Sequence, residues 1–566
     1  MNCDVNIWES IGTGICLPNR KPPPDRCWID CRPVMIRTGL LAPAPSLSVD
    51  SLGLPWAAAV AALAGVLFAI PYLYASAYLL SWIAFVPWLL VSQQRSRPEH
   101  YALGLAFGMG CYVTGTYWVV DFLMLFKQYS GLQAVLWGLV FWLYSAHLPA
   151  CLLVLFGWLR QRSGISDLIL FPLLAVVVYA HFPMLFSAQL GESQSRFLLA
   201  LQGLDRFGVS GLDAVIALVN VLLLRGFVMG KAWLRTPSNW LALAIVLAWF
   251  GYGAVSLQHW QQSLSGWPRL AVGLVQPNEP PSIKPVPVYP GYSRTYPPEM
   301  EMTKRLAAAG AELVIWPESA YKGYFDQAEV AAAFQSEVKK LGIPIMLQDI
   351  QKSASEGAMF NSVTLIDASG QQQQTYNKMK RVAFGEYVPW VSDVPLLRDW
   401  VQSFFGRFLN EIKAGAERID FQHGDITLVP LICYETMFPV FVADSMRAGN
   451  GGRIIVAVSS NGWFGATRQP FQHIGAAVLR AVENRVSMVH AVNNGPSTAV
   501  TPDGRILLQT DFRQAGGYRV DVPYAPANPP AGNSWHPAGF LYFAYGMGCI
   551  CLLSALWRRP CVRGGA

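Results

Sequence analysis

A chain of 566 residues that is 53% apolar and only 14% charged is too hydrophobic for an ordinary soluble enzyme; it needs lipid or a very large core. Its formal charge of +7 is no nucleic-acid signature, because no soluble stretch carries a basic run interleaved with aromatics. The lysines and arginines fall between hydrophobic stretches, where membrane sidedness accounts for them.

Residues 1–53 are polar and proline-containing ("NRKPPPDRCWIDCRP") and lack the apolar core and cleavage site of a secretory signal. The spacing of Cys3, Cys16, Cys27 and Cys31 matches no common zinc pattern with two close pairs. The segment reads as a disordered cytoplasmic tail, with Met35 an alternative start.

Apolar stretches of about 20 residues, enough for a helix to cross a bilayer, follow at about 54–73, 75–93, 101–121, 132–158, 166–187, 208–229, 238–257 and 537–557. They predict a polytopic α-helical membrane domain over 54–257, a last transmembrane helix at 536–557 and a short tail at 558–566, about eight spans in all. Arg20, Lys21, Arg26, Arg32 and Arg37 precede the first span, and every second loop after it is basic: Arg95 and Arg97, Arg160 and Arg162, Arg225, Lys231 and Arg235, then Arg558, Arg559 and Arg563. The alternate loops hold only Lys127, Arg196 and Arg206, partly offset by Asp121, Glu192 and Asp205. Both ends are therefore expected in the cytoplasm and residues 258–535 on the periplasmic or outer face.

Within 258–535, apolar runs ending in polar residues predict strands at "LAVGLVQPN", "AELVIWPES", "IPIMLQD", "NSVTLID", "ITLVPLICYE" and "RIIVAVSSN". Helical patterns lie between several of them, as in "YPPEMEMTKRLAAAG" and "QAEVAAAFQSEVKKLG". An α/β domain with its site at strand ends follows. The region has no Gly-rich phosphate loop, no close metal-ligand pair and no G-x-S-x-G elbow; neither a metal nor a cofactor is expected.

Cys433 is the only cysteine between residues 258 and 535, so an internal disulfide is excluded there, while an inert buried cysteine stays open. Three strand ends carry reactive groups: "LVIWPES" delivers Glu318, "YNKMKRVAFGEYVP" delivers Lys378 and then Glu386, and "LICYE" delivers Cys433 and Glu435. Singly, each reads as well as a solvated loop residue. Together they supply a base, a cation and a thiol. A carboxylate can take the proton of a thiol that is mostly protonated at neutral pH, and an ammonium group stabilises both the thiolate and the oxyanion that follows.

In this order, the three resemble the Glu-Lys-Cys triad of the nitrilase (carbon-nitrogen hydrolase) superfamily. With the membrane flanks, the chain resembles the bacterial apolipoprotein N-acyltransferase family from about residue 54 to its end. "GLAFGMGCYVTGTYWV" (104–119) is similar to that family's third span, and "VQPN", "WPES", "YNK", "FGEYVP", "CYE", "WFG", "PFQH", "RAVENR" and "NNG" follow in family order. The resemblance implies a nitrilase-like sandwich outside the cytoplasm, with Glu318 as general base, Lys378 as oxyanion stabiliser and Cys433 as nucleophile. It further implies that Glu386 orients Lys378, that Glu435 supports the site, and that the Tyr434 amide is a second oxyanion donor. A phospholipid would be the acyl donor and a lipoprotein the acceptor, handled by a monomer in the inner membrane.

The chain departs from the family at several positions. Ser460, Asn461 and Gly462 stand where the family often has Asn-Asp before its Trp-Phe-Gly, and Gln348-Asp349 replace a Thr-Gly. Pro285 replaces an aromatic, and His490 an arginine. The apolar segment 387–409, with Trp390, Leu396, Leu397, Trp400, Phe404, Phe405 and Phe408, reads either as a buried helix or as an interfacial arm beside a lipid groove. Two alternatives to the acyltransferase remain at this stage: a conjugal-transfer-type membrane protein whose nitrilase-like domain serves another acceptor, and an inactive membrane scaffold.

Overall fold

In the computed structural model the described residues are 52–186, 189–280, 293–319, 322–352, 358–382, 386, 396, 412–446, 451–526 and 538–557. The expected tails, Pro285 and, apart from the exposed Leu396, the 387–409 arm lie outside them.

Among the described residues, helices Leu54–Leu73, Gly131–Ser163, Leu204–Met229 (continued by a 3-10 turn to Arg235), Pro237–Ser265 and Gly539–Trp557 are the 5 that are long and apolar enough to cross a membrane alone. A sixth candidate is the pair Arg97–Gly115 and Val119–Lys127, bent by 57°. The sequence predicted about eight, and local chemistry explains the difference. Residues 75–91 form a 3-10 turn, Ala75–Trp82, and a separate short helix, Phe85–Val91. Asp167–His181 stops after 15 residues because Phe182, which precedes Pro183, is extended (φ −60, ψ 126). The bend in the pair coincides with a partner for the freed helix end: Gln472 donates from Nε2 to the Gly115 carbonyl (2.8 Å) and accepts from Trp118 Nε1 (3.0 Å). Small residues let the helices touch: a Cβ on Gly104 would lie 2.3 Å from Ala150 Cα, and one on Gly108 2.5 Å from Ala146 Cα.

The rest of the described chain is a two-sheet sandwich. Strands β1 (Arg269–Gln276), β2 (Leu313–Ile315), β3 (Ile345–Lys352), β4 (Met359–Ile366), β5 (Gln372–Asn377) and β12 (Gly516–Pro523) form a sheet ordered β12-β1-β2-β3-β4-β5. Strands β6 (Phe421–His423), β7 (Ile426–Ile432), β8 (Gly452–Ser459), β9 (Ser487–Val492), β10 (Thr498–Val500) and β11 (Ile506–Gln509) form the other, ordered β11-β10-β9-β8-β7-β6. Each has a parallel centre, β1-β2-β3 and β7-β8-β9, flanked by antiparallel strands. The apolar runs predicted as strands are β1–β4, β7 and β8. The polar edge strand β5 ("QQQTYN") and β6 and β9–β12 escaped notice.

Val272, Leu274, Ile315 and Met346 face Leu428, Ile432, Val456 and Val489 in the core between the sheets. Outside the first sheet, Met300, Leu306, Phe334 and Val338, on helices Pro298–Ala308 and Ala328–Leu341, pack on Val314, Ile345 and Leu347. Outside the second, helix Gln469–Asn484 lies between Leu431, Ile455 and Ala457 and the membrane helices, in one continuous apolar cluster.

Candidate active site

Glu318, Lys378 and Cys433 follow β2, β5 and β7 and meet at one end of the sandwich. Glu318 forms an isolated parallel bridge with Val492, joining the two sheets at that end. Its carboxylate accepts from Asn361 Nδ2 (2.8 Å) and from the Ser460 backbone N–H (3.2 Å). The Lys378 ammonium is almost wholly buried and lies 2.8 Å from Glu386 Oε1 and 3.9 Å from Glu318 Oε1. Burial opposes that charge, but the two carboxylates outweigh it and hold Lys378 protonated, well above its ordinary range.

Cys433 opens a one-turn 3-10 helix, Cys433–Met437, with φ +52. This left-handed conformation is costly for a residue other than glycine, roughly 1–3 kcal/mol, and such strain concentrates at functional sites. Burial first, then the facing Glu318, holds the thiol protonated, while Lys378 pulls the other way. The thiol therefore rests protonated, with the Lys378 ammonium close by.

The supporting residues fall into two groups. Glu386 is fixed by the Val382 N–H (2.8 Å) and by Asn361 (3.2 Å) as well as by Lys378. Glu435 is fully buried; it accepts from the backbone N–H groups of Ile432 (2.8 Å), Met379 (2.6 Å) and Lys380 (3.0 Å) and from the Tyr376 hydroxyl (2.8 Å). It thereby ties the thiol's turn to the turn that carries Lys378. The Tyr434 hydroxyl donates to the Leu185 carbonyl (3.0 Å) at the membrane helices.

Sequence reasoning missed two residues here. Asn361 spans both carboxylates, and its Oδ1 is held by Gln348 Nε2 (2.8 Å), whose Oε1 takes the Ser319 N–H (3.0 Å). His473 bonds to Thr436 Oγ1 (2.9 Å), and that hydroxyl donates to the Cys433 carbonyl (3.1 Å); burial pushes the imidazole down to about 4, so it is neutral. Asn361 opens the run "NSVTLID" and His473 closes "PFQH". Position in those motifs was the only available signal.

The departures from the family pattern also acquire partners. Asp349 accepts from the N–H groups of Lys322 (2.9 Å) and Tyr324 (2.7 Å), bracing the loop after Glu318. Asn461 Oδ1 sits 3.3 Å from His473 Nδ1, and the His490 ring meets the other side of His473 edge-on at 4.8 Å. Asn461 and His490 thus both lie against one buried imidazole.

Cys433 opens onto a cavity of about 150 Å³ that continues between the membrane helices, where Phe68, Tyr112, Trp118, Phe141 and Phe186 line it. "WFG" seats the wall. Phe464 stacks on Phe122 (5.5 Å) and meets Trp118 edge-on (5.1 Å), while Trp463 meets Phe126 (5.2 Å). "VQPN" and "NNG" close the sandwich above it: Asn278 N–H donates to the Asn493 carbonyl (2.8 Å), and Asn494 Nδ2 to Asn278 Oδ1 (3.2 Å). Among the described residues no group of acidic, histidine or cysteine side chains could hold a metal ion.

The carbon-nitrogen hydrolase family model matches residues 272–525, and that of the apolipoprotein N-acyltransferase N-terminal domain matches residues 64–222. The apolipoprotein N-acyltransferase of Geobacter metallireducens is 31% identical over 474 residues, covering 80% of this chain and 87% of its own. That of Pseudomonas syringae pv. tomato is 29% identical over 493 residues, covering 82% and 89%. An amidase from Nesterenkonia sp. aligns in structure at 17% identity and a TM-score of 0.32, covering 45% of this chain and 90% of its own.

Proposed function

Since this chain belongs to the apolipoprotein N-acyltransferase family, we propose that Glu318, Lys378 and Cys433 catalyse transfer of a phospholipid acyl chain to the N-terminal amine of a lipoprotein's S-diacylglyceryl-cysteine. The observation that carries this assignment is the meeting of a carboxylate and a buried ammonium with a thiol on a strained backbone that lines an apolar cavity running between membrane helices.

The reaction is ping-pong. Glu318 takes the thiol proton and Cys433 attacks the acyl ester. Lys378, joined by the Tyr434 amide, holds the tetrahedral oxyanion. Glu318 returns the proton to the departing lysophospholipid alkoxide, leaving an acyl-thioester. The acceptor amine then attacks, Glu318 takes its proton, and collapse of the second intermediate releases the amide and restores the thiol. Glu386 keeps Lys378 in place. No step calls for a metal or cofactor.

In this reading the short segments Ala75–Val91 and Asp167–His181 complete about eight crossings of the inner membrane, and the basic loops favour the periplasmic or outer face for the sandwich. An alkaline phosphatase fusion after residue 300 should be active and one after Arg97 silent; the reverse would overturn this orientation. The chemistry is tested by single-turnover labelling with a fluorescent phospholipid. A hydroxylamine-sensitive adduct should form on the native protein and not on Cys433→Ala. Equal labelling of both would end the assignment.

A further inference from the structure

One ionisable group in the cavity beside Cys433 has no part in the mechanism above. Glu192 lies in the one-turn segment Leu190–Gln194, outside the helices long enough to span the membrane, and lines the same cavity as Cys433, Tyr434 and Asn461. Its backbone is held from several sides. The Gly191 N–H donates to Asp213 Oδ1 (2.7 Å), and the Tyr72 hydroxyl donates to the Gln189 carbonyl (2.8 Å). Gly475 of the Gln469–Asn484 helix lies so close that a Cβ there would touch the Glu192 carbonyl at 3.5 Å. The backbone of Glu192 is therefore held in the cavity wall.

Its surroundings contain little to neutralise it. No lysine, arginine or aspartate lines this cavity among the described residues, and His473 is neutral. Behind the wall Arg480 is the nearby cation, and its Nε already lies 2.8 Å from Glu483 Oε2. Burial pushes the Glu192 carboxyl up to about 8 against the pull of Arg480, with Asp213 adding to the rise. An apolar cavity with a single carboxyl in its wall complements a substrate that joins hydrocarbon chains to a primary ammonium group, since an incoming cation stabilises the ionised acid in a low-dielectric site.

We propose that Glu192 is a specificity-determining residue that receives the primary ammonium group of a substrate. Two sources share this chemistry: the head group of an aminophospholipid donor, and the α-ammonium of the acceptor, which gives its extra proton to the Glu192 carboxylate and then attacks the thioester as the free amine. The inference rests on the acyl-transfer reading and deepens it.

The test compares the full-length native protein, Glu192→Gln and Glu192→Asp in detergent. In one arm, formation of the Cys433 adduct is timed with phosphatidylethanolamine and with phosphatidylglycerol of the same chains. A donor-head-group role slows the first in Glu192→Gln by about tenfold to a hundredfold, the effect of one lost charge-assisted bond, and leaves the second unchanged. In the other arm, pre-acylated protein is mixed with a diacylglyceryl-cysteine peptide or with hydroxylamine. An acceptor role raises the half-saturating peptide concentration by a similar factor and leaves cleavage by hydroxylamine unchanged. Glu192→Asp should recover part of either loss. Unchanged rates in both arms, or equal slowing with every substrate, would overturn the proposal. Failure of the native protein to form any adduct would instead remove the acyl-transfer reading itself, before a variant is made.

Discussion

The two helical layers of the sandwich do the same job for their sheets and meet opposite environments. Helix Ala328–Leu341 fully buries only Val330, Phe334 and Val338 and leaves its other residues half-buried or exposed. On helix Gln469–Asn484 every residue from His473 to Asn484 is buried, because membrane helices cover the face that water covers on the other layer. A helix pressed from both sides must neutralise its polar groups internally. Arg480 pairs with Glu483 (2.8 Å), Glu483 takes the Val209 N–H (2.9 Å), and Arg485 just beyond the helix holds Asp205 (3.0 Å) and Gln202 (2.9 Å). "RAVENR" is therefore a joint between two parts of the chain, as are "WFG" and "PFQH". The open layer carries no catalytic candidate, and the docked layer stands beside the thiol.

This contrast can be broken at several strengths. The largest effect is expected at the thiol: Cys433→Ala should abolish adduct and turnover while thermal unfolding of both layers stays where it was. An accompanying collapse of the melting transition would show that the turn is a packing device. Next, Lys378→Ala removes the ammonium opposite the oxyanion and should slow acylation by roughly a hundredfold or more. Glu318→Gln should stall the first half-reaction, and Glu386→Ala should cost less than either; rapid-quench labelling ranks them.

The layers themselves differ next. Arg485→Ala leaves Asp205 buried without its cation and should destabilise by about 3–5 kcal/mol. Lys340→Ala on the open layer, which breaks an exposed pair with Glu337, should cost about 0–1 kcal/mol. Equal shifts in detergent melting curves would erase the distinction between the layers.

The last effect depends on pH and concerns Asp349, buried on the open-layer sheet, whose carboxyl is raised from 3.8 to about 6 mainly by burial. A raised folded-state value means that the folded protein binds the proton more tightly. This contribution to stability is full below about pH 4 and is lost as pH rises through about 6. Asp349→Asn should flatten that limb of the melting temperature against pH, an effect of about 3 kcal/mol at most. An unchanged slope would assign it to other groups.

The sequence made the proposed catalytic residues legible because each sits in a short, unusual punctuation, Pro-Glu and Cys-Tyr-Glu at the ends of apolar strands and Asn-Lys after the polar edge strand β5. It could not reveal Asn361, whose role depends on β4 lying between the strands that deliver Glu318 and Lys378. Nor could it reveal Glu192, which looked like a loop charge offsetting an arginine until the cavity enclosed it. Hydrophobic length did not show where helices break, since apolarity persists through Pro183 and through the 3-10 segment Ala75–Trp82 while α-helical hydrogen bonding does not. The docked helix went unread because its small apolar residues resemble those of the spans it touches.

Glu435 has a mechanical consequence. β5 and β7 belong to different sheets, and its carboxylate, bonded to Ile432 on one side and to Tyr376, Met379 and Lys380 on the other, acts as a rivet through both. A sandwich held together only by apolar contact can let its sheets slide, and a slide of one residue would carry Lys378 away from Cys433. With the rivet at the reactive end, any parting of the sheets must begin elsewhere. The spacing between ammonium and thiol is thereby kept without a covalent crosslink.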